Sequence, residues 1–223
     1  MCKTLNYKFI SEVNTSHNLD KFNQHFLAQK IFDKPEFNGD FGEMMVSWAQ
    51  FNKEVLPGRA FTFWQWFEGV TELSKRHLSP YWNDGLIFGF IGKHHLHMIL
   101  NDSPTGTFLL RFSDSEIGGI TIAYKIQNIQ PFCKKDLEIR NLADRIGDIA
   151  EISYLYPNIS KFEAFGKYIT GELLKAVMVL LLPFPRPNNT APGNGTPAPP
   201  PVASIPPAQA PQNRYNEFIC ACY

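Results

Sequence analysis

GTFLLRFSDSEIGGITIAYK, residues Gly106 to Lys125, sets one arginine in the middle of an apolar run and follows it with hydroxyls, an acid and a glycine turn. Phe108, Leu110 and Phe112 alternate with Leu109, Arg111 and Ser113, and a period of two sends the two sets to opposite faces of a β-sheet. Ile117, Gly118 and Gly119 interrupt the strand, and Ile120 to Tyr124 reads as its return partner across a short hairpin loop. An arginine on an amphipathic strand by default points into water. Here the loop Ser113, Asp114, Ser115 stands beside it. A planar guanidinium offers two parallel donors to an oxyanion, and serine hydroxyls and turn amides can satisfy the remaining acceptors, so the pattern suits capture of a phosphate group.

The same twenty residues resemble the phosphotyrosine-binding strand and loop of Src homology 2 (SH2) domains, in the form found in signal transducers and activators of transcription (the STAT family). The likeness continues through WNDGLIFGFIGK (Trp82 to Lys93) and LADRIGD (Leu142 to Asp148). Upstream, FLAQKIF, VSWAQFN and TFWQWFEGV, within Phe26 to Leu78, are similar to the helical linker domain that precedes the SH2 domain in that family. The likeness spans about Leu5 to Val177 and is closest to the branch holding the fifth and sixth types. It implies an α+β chain: residues 1–15 as a remnant strand of a DNA-binding domain, 16–84 as an all-helical linker module, 85–182 as an SH2 sandwich with a central antiparallel sheet flanked by two helices, and 183–223 as a disordered Pro-rich tail.

Periodicity gives much of this independently. Lys8 to Val13 alternates as a short strand would. Leu19, Phe22, Phe26, Leu27 and Ile31 recur at three and four and predict a helix closing before Pro35, and Val46 to Glu54 suggests a second. Phe61 to Leu78 supplies a third, with Phe63, Trp66, Phe67, Val70 and Leu73 on a wide apolar face. Trp64, Trp66 and Phe67 beside Lys75 and Arg76 offer a stacking platform for single-stranded nucleic acid as one reading, and core packing as the stronger one. From Gly92 a short helix carries Leu96, Ile99 and Leu100 inward. Ile126 to Phe132 reads as a further strand, and Ser153 to Pro157 as the close of a helix built on Leu142, Ile146 and Ile149.

Composition narrows the function classes. With 21 basic and 21 acidic residues the formal charge is zero, so no global field argues for nucleic acid or membrane surfaces, and an anion site must be local. Cys2, Cys133, Cys220 and Cys222 lack the paired spacing of a zinc site or disulfide framework, which fits a reducing compartment. His94, His95 and His97 have no acidic or thiol partner at ligand spacing. No metal or other cofactor is expected. The opening residues have no secretory signal, and the longest apolar run, Ala176 to Leu182, is well short of the roughly 20 residues a membrane helix needs. Eleven of the 17 prolines fall between Pro183 and Pro211, a composition that resists a packed core. No Gly-x-Ser-x-Gly elbow or nucleotide-cradling loop occurs, and charged residues fill the interval from Cys133 to Arg140 where a phosphatase loop needs a glycine-rich cradle. No enzyme is expected.

The resemblance assigns the site residues. Arg111 pairs with the phosphate, Lys93 assists it from the helix, Ser113 and Ser115 donate hydrogen bonds, and Asp114 orders the loop. Partners implied are phosphotyrosine peptides of cytokine receptors or of other STAT chains, with a dimer as a further expectation, DNA reached only through domains absent here, no membrane, and a cytoplasmic chain that enters the nucleus as part of a full STAT. Two departures stand out. The coiled coil and most of the DNA-binding domain are missing before Leu5, and where the family has Gly-Tyr shortly after Lys175 to Val177 this chain runs MVLLLPF, with no tyrosine between Tyr168 and Tyr215. Two readings remain: an isoform or partial stretch of a STAT transcription factor, or a free-standing phosphotyrosine adaptor that competes without binding DNA.

Overall fold

Residues Cys2–Val13 form helix α1, not the strand expected over Lys8 to Val13. Leu5, Phe9 and Val13 decide the matter: spaced by four, they stack on one helix face and all three are buried. The apparent alternation came from reading only the second half of that stripe. Asn14, in the left-handed conformation, closes the helix. The fold is taken from a computed structural model that describes residues 1–124 and 127–172. The Pro-rich tail, Lys175 to Val177 and Tyr215 lie outside the described residues.

Helix α2, Lys21–Ile31, starts where the Asp20 side chain accepts a hydrogen bond from the Asn23 amide. Helix α3, Trp48–Asn52, and helix α4, Phe63–Leu73, each begin with a capping box, Ser47 with Gln50 and Thr62 with Gln65. Phe63, Trp66, Phe67, Val70 and Leu73 are all buried, as their spacing predicts. Trp64, the residue a base would stack on, is half-buried and packs against Phe51 and Phe67 instead. A wider π-type turn, Ser74–Leu78, leads without a break into α5, Ser79–Asn83.

The second half is built around a five-stranded sheet. Strand β1, Thr107–Phe112, pairs antiparallel with β2, Ile120–Tyr124, setting Arg111 opposite Thr121, and β2 pairs antiparallel with β3, Gln127–Asn128. The strand expected over Ile126 to Phe132 is thus short, though Phe132 bridges back to Ile120. On its other side β1 pairs in parallel with β4, Tyr154–Leu155, which turns into β5, Ile159–Ser160. The order is β3-β2-β1-β4-β5. Ser153 to Pro157 therefore supplies a strand and not a helix end: helix α8, Leu142–Asp148, stops earlier. Helix α6, Lys93–Asn101, precedes the sheet; α7, Lys134–Ile139, and α9, Lys161–Phe165, complete the second half.

One apolar core runs through both halves, from Leu5 to Ile169. Its centre is aromatic. Phe112 of β1 meets Phe9 at 6.4 Å, Trp82 at 5.9 Å and Phe90 at 4.8 Å between ring centroids, and Trp66 meets Phe90 at 5.3 Å. These rings are buried and in the range where offset or edge contacts stabilise beyond area alone. Polar groups repeat the connection. The buried Asn23 amide of α2 accepts from the Phe90 amide at 2.6 Å and donates to the Phe88 carbonyl at 3.3 Å. Tyr168 donates to Asp84 at 2.5 Å while its ring rests on Tyr81.

The hairpin loop reaches the same interface. Gly118 has φ +62°, and a Cβ there would lie 2.8 Å from the Gly69 carbonyl oxygen of α4. Backbone on both sides leaves nothing flexible to yield. Gly118→Ala is expected to cost about 1–3 kcal/mol from strain and overpacking together. Urea denaturation of the full chain checks this; an unchanged midpoint would show that the loop can move off α4.

Candidate functional site

Arg111 sits near the end of β1 with only 4% of its side chain exposed. Both faces of this strand are covered, so the arginine is not the solvent-facing member of an amphipathic strand. Segment Phe88 to Ile91 runs along β1 on the edge that β4 leaves open: the Phe88 amide donates to the Leu110 carbonyl at 2.9 Å and the Phe112 amide to the Gly89 carbonyl at 2.9 Å. That places the Ile91 carbonyl where one terminal nitrogen of Arg111 donates to it at 3.2 Å. The other terminal nitrogen lies 3.5 Å from Asp114 Oδ1. Nε of Arg111 is buried and has no hydrogen-bond partner among the described residues. Because a guanidinium keeps its charge in proteins, this is a buried cation with donor capacity to spare. Burial draws its pKa down, and the Asp114 carboxylate opposes that shift.

The loop after β1 is folded onto its own first residue. Ser113 is buried, and its Oγ accepts from the amides of Ser115 at 3.3 Å and Glu116 at 3.2 Å, an arrangement in which a hydroxyl substitutes for a backbone turn. Ser115 Oγ stands 3.3 Å from Ser113 Oγ and is itself exposed. Two of the amides expected to face an anion are thus committed inside the loop, and the contact between the two serine hydroxyls uses one of their hydrogens and leaves the other to point outward. Arg111, Ser113, Asp114 and Ser115 are brought together. Lys93 is apart: it is exposed on the first turn of α6, two residues beyond Ile91, and among the described residues no hydrogen bond or ion pair joins it to Arg111.

Three further residues complete the surroundings, and the sequence reading did not single out two of them at all. The Lys30 ammonium, from the last turn of α2, donates to the Asp114 carbonyl at 3.3 Å and lies 4.6 Å above the Trp66 ring. Arg59 Nε donates to the same carbonyl at 3.1 Å, and its terminal nitrogen is 3.9 Å from Asp114 Oδ2. Trp66, expected only in the core, donates through Nε1 to the Ser113 carbonyl at 2.7 Å. Burial pushes the Lys30 ammonium down to about 8, with Asp114 partly restoring it and Arg59 and Arg111 pushing it down further. For Asp114, burial works against ionisation, but the Arg111, Lys30 and Arg59 cations outweigh it and hold the carboxyl below its ordinary range.

The chemistry on offer is that of an oxyanion receptor. Three cations surround a single carboxylate, and hydroxyls flank them. Among the described residues no group of three or more histidines, cysteines or acids is arranged to hold a metal ion. Cys133, the residue weighed as a phosphatase nucleophile, caps the start of α7, its amide donating to Asp136 at 2.8 Å.

Comparison with known proteins gives three findings. The family model described as "Signal transducer and activator of transcription, linker domain" matches residues 1–67. The model described as "SH2 domain" matches residues 86–162. The human protein named signal transducer and activator of transcription 6 is 53% identical over 182 residues, covering 77% of this chain and 22% of its own length. The chain therefore spans about a fifth of that relative. The match agrees with the branch that the sequence resemblance pointed to.

Removing the cation at position 111 must raise the Asp114 pKa, since burial then acts with less opposition. In Arg111→Met, carboxyl NMR of Asp114 is expected to show an upward-shifted midpoint relative to the wild type. The folded pKa is depressed, so the stability Asp114 contributes is present above its unfolded value near 4 and is lost as pH falls through the folded one. An unmoved midpoint would show that Arg111 is not its dominant partner.

Proposed function

The chain belongs to the signal transducer and activator of transcription family through its linker and SH2 domains, and from that premise we propose that it binds phosphotyrosine peptides at Arg111. The observation that carries the reading is the buried guanidinium whose Nε has no partner, flanked by the Ser113 and Ser115 hydroxyls. A phosphate monoester brings close to two negative charges and three strong acceptors at neutral pH. The neutral hydroxyl of an unmodified tyrosine brings no charge to offset the buried guanidinium, so phosphorylation acts as the switch.

Arg111 pairs with the phosphate through two parallel donors, and Ser113 and Ser115 donate their hydroxyl hydrogens to it. Lys93 adds charge from α6 as the bound peptide crosses the helix. Asp114 is read as an ordering residue that keeps Arg111 in place. We read residues 1–15 with the linker, because they form α1 within the matched stretch. The linker then runs to about residue 84, the SH2 domain from 85 to 182 and the Pro-rich tail from 183.

At the level of the pathway, the partners are phosphorylated cytokine receptors and phosphorylated STAT chains, and the outcome is regulation of transcription after passage from cytoplasm to nucleus. DNA contact belongs to other domains of such proteins. The chain acts as a binding module and not as a catalyst. None of the described helices is long and apolar enough to cross a membrane. The shared core of linker and SH2 domain favours a STAT-type module over a free-standing SH2 adaptor.

Retention of a phosphotyrosine peptide library, with the unphosphorylated library as control, tests the reading. The wild type is expected to enrich phosphopeptides only. Arg111→Ala is expected to lose about 30-fold to 5,000-fold in affinity by calorimetry, the scale set by roughly 2–5 kcal/mol for a buried charge pair. Equal retention of both libraries, or wild-type affinity in a folded Arg111→Ala chain, would overturn it.

A further inference from the structure

Two linker cations meet on one carbonyl of the phosphate-facing loop. Lys30 reaches Asp114 O from α2 and Arg59 reaches it from the turn before α4. Neither residue belongs to the stretch that matches the SH2 domain, which begins at residue 86. Trp66 holds the preceding carbonyl and also lies under the Lys30 ammonium, so three linker side chains share two successive loop carbonyls. Those two carbonyls belong to the residues on either side of the peptide unit that aims the Asp114 carboxylate at Arg111.

We infer that Lys30 and Arg59 are positioning residues of the phosphate pocket: they fix the Asp114 backbone against the linker, and their charge adds to that of Arg111 toward an incoming phosphate. This rests on the phosphotyrosine reading above. The argument is one of balance. Lys30, Arg59 and Arg111 place three cations around one carboxylate, an excess of positive charge that a phosphate dianion offsets. In a partly buried setting such charges interact more strongly than they would in water. Anchoring by two donors on one carbonyl also removes loop freedom that a ligand would otherwise have to remove on binding.

The groups facing Lys30 are Asp114, Arg59, Arg111 and Asp33. From pH 7 to 9.5 a phosphate monoester is past its second ionisation, whose pKa is about 6. Burial brings the Lys30 pKa down to about 8, inside that window. The wild-type chain should therefore bind a phosphopeptide progressively more weakly as pH rises through the neutralisation of Lys30.

The experiment uses the full chain and the peptide that it retains best from the phosphotyrosine library, with affinity measured by calorimetry from pH 7 to 9.5. Arg59→Ala and Lys30→Met are each expected to weaken binding about three- to tenfold at pH 7, a coupling of the size neighbouring groups commonly show. Lys30→Arg is expected to restore affinity and to abolish the pH step, because arginine does not titrate in this range. Should Lys30→Met unfold, the comparison of wild type with Lys30→Arg decides alone. Wild-type affinity in Arg59→Ala together with an unaltered pH step in Lys30→Arg would overturn the inference while leaving the role of Arg111 standing. A wild-type chain that retains no phosphopeptide would remove both.

Discussion

A guanidinium that is almost completely buried must be matched by its surroundings, because it cannot escape by losing its proton. Arg111 is such a group, and much of the structure around it is arranged to tolerate it. One donor goes to the Ile91 carbonyl, which requires the Phe88 to Ile91 segment to run along the open edge of β1. Another faces Asp114, which requires the loop after β1 to fold back. What is left over, among the described residues, is the unpartnered Nε, and the proposed binding of an oxyanion rests on that remainder.

The cost of this arrangement is met from outside the sheet. Phe88 to Ile91 is pinned by the buried Asn23 of α2, and the loop is gripped by Lys30, Arg59 and Trp66. The aromatic core from Phe9 through Trp82 to Phe112 continues across the same boundary without a break. The linker therefore supports the loop beside Arg111. Side chains of α2, of α4 and of the turn before α4 hold the loop's carbonyls, so a change in how either helix sits reaches the loop beside Arg111 through side-chain-to-backbone hydrogen bonds.

Local pattern was enough for the parts that local forces decide. The hairpin followed from a period of two and a glycine turn, and α4 from the spacing of Phe63, Trp66, Phe67, Val70 and Leu73. Lys8 to Val13 misled because six residues of mixed character fit either period, and the residue that resolves them, Leu5, lies outside that window. Ser153 to Pro157 became a strand because β1 offers it a ladder, which no property of those residues announces. Of the candidate site residues, Arg111, Ser113, Asp114 and Ser115 stood out by strand period and loop chemistry, and Lys93 only through family resemblance. Lys30 and Arg59 were not legible at all: they stand 84 and 55 positions from Asp114, and a lysine in the last turn of a helix or an arginine after a turn reads as solvated.

The central claim is that the spare donor capacity of Arg111 is what reads the phosphate. Nitrogen-15 NMR of the arginine side chains in the full chain tests it most directly, following the Arg111 Nε–H resonance while a phosphotyrosine peptide is added. The account predicts that this resonance moves in step with binding and is unmoved by the unphosphorylated peptide. A phosphopeptide that binds at one equivalent while the Arg111 Nε–H signal stays where it was would contradict it.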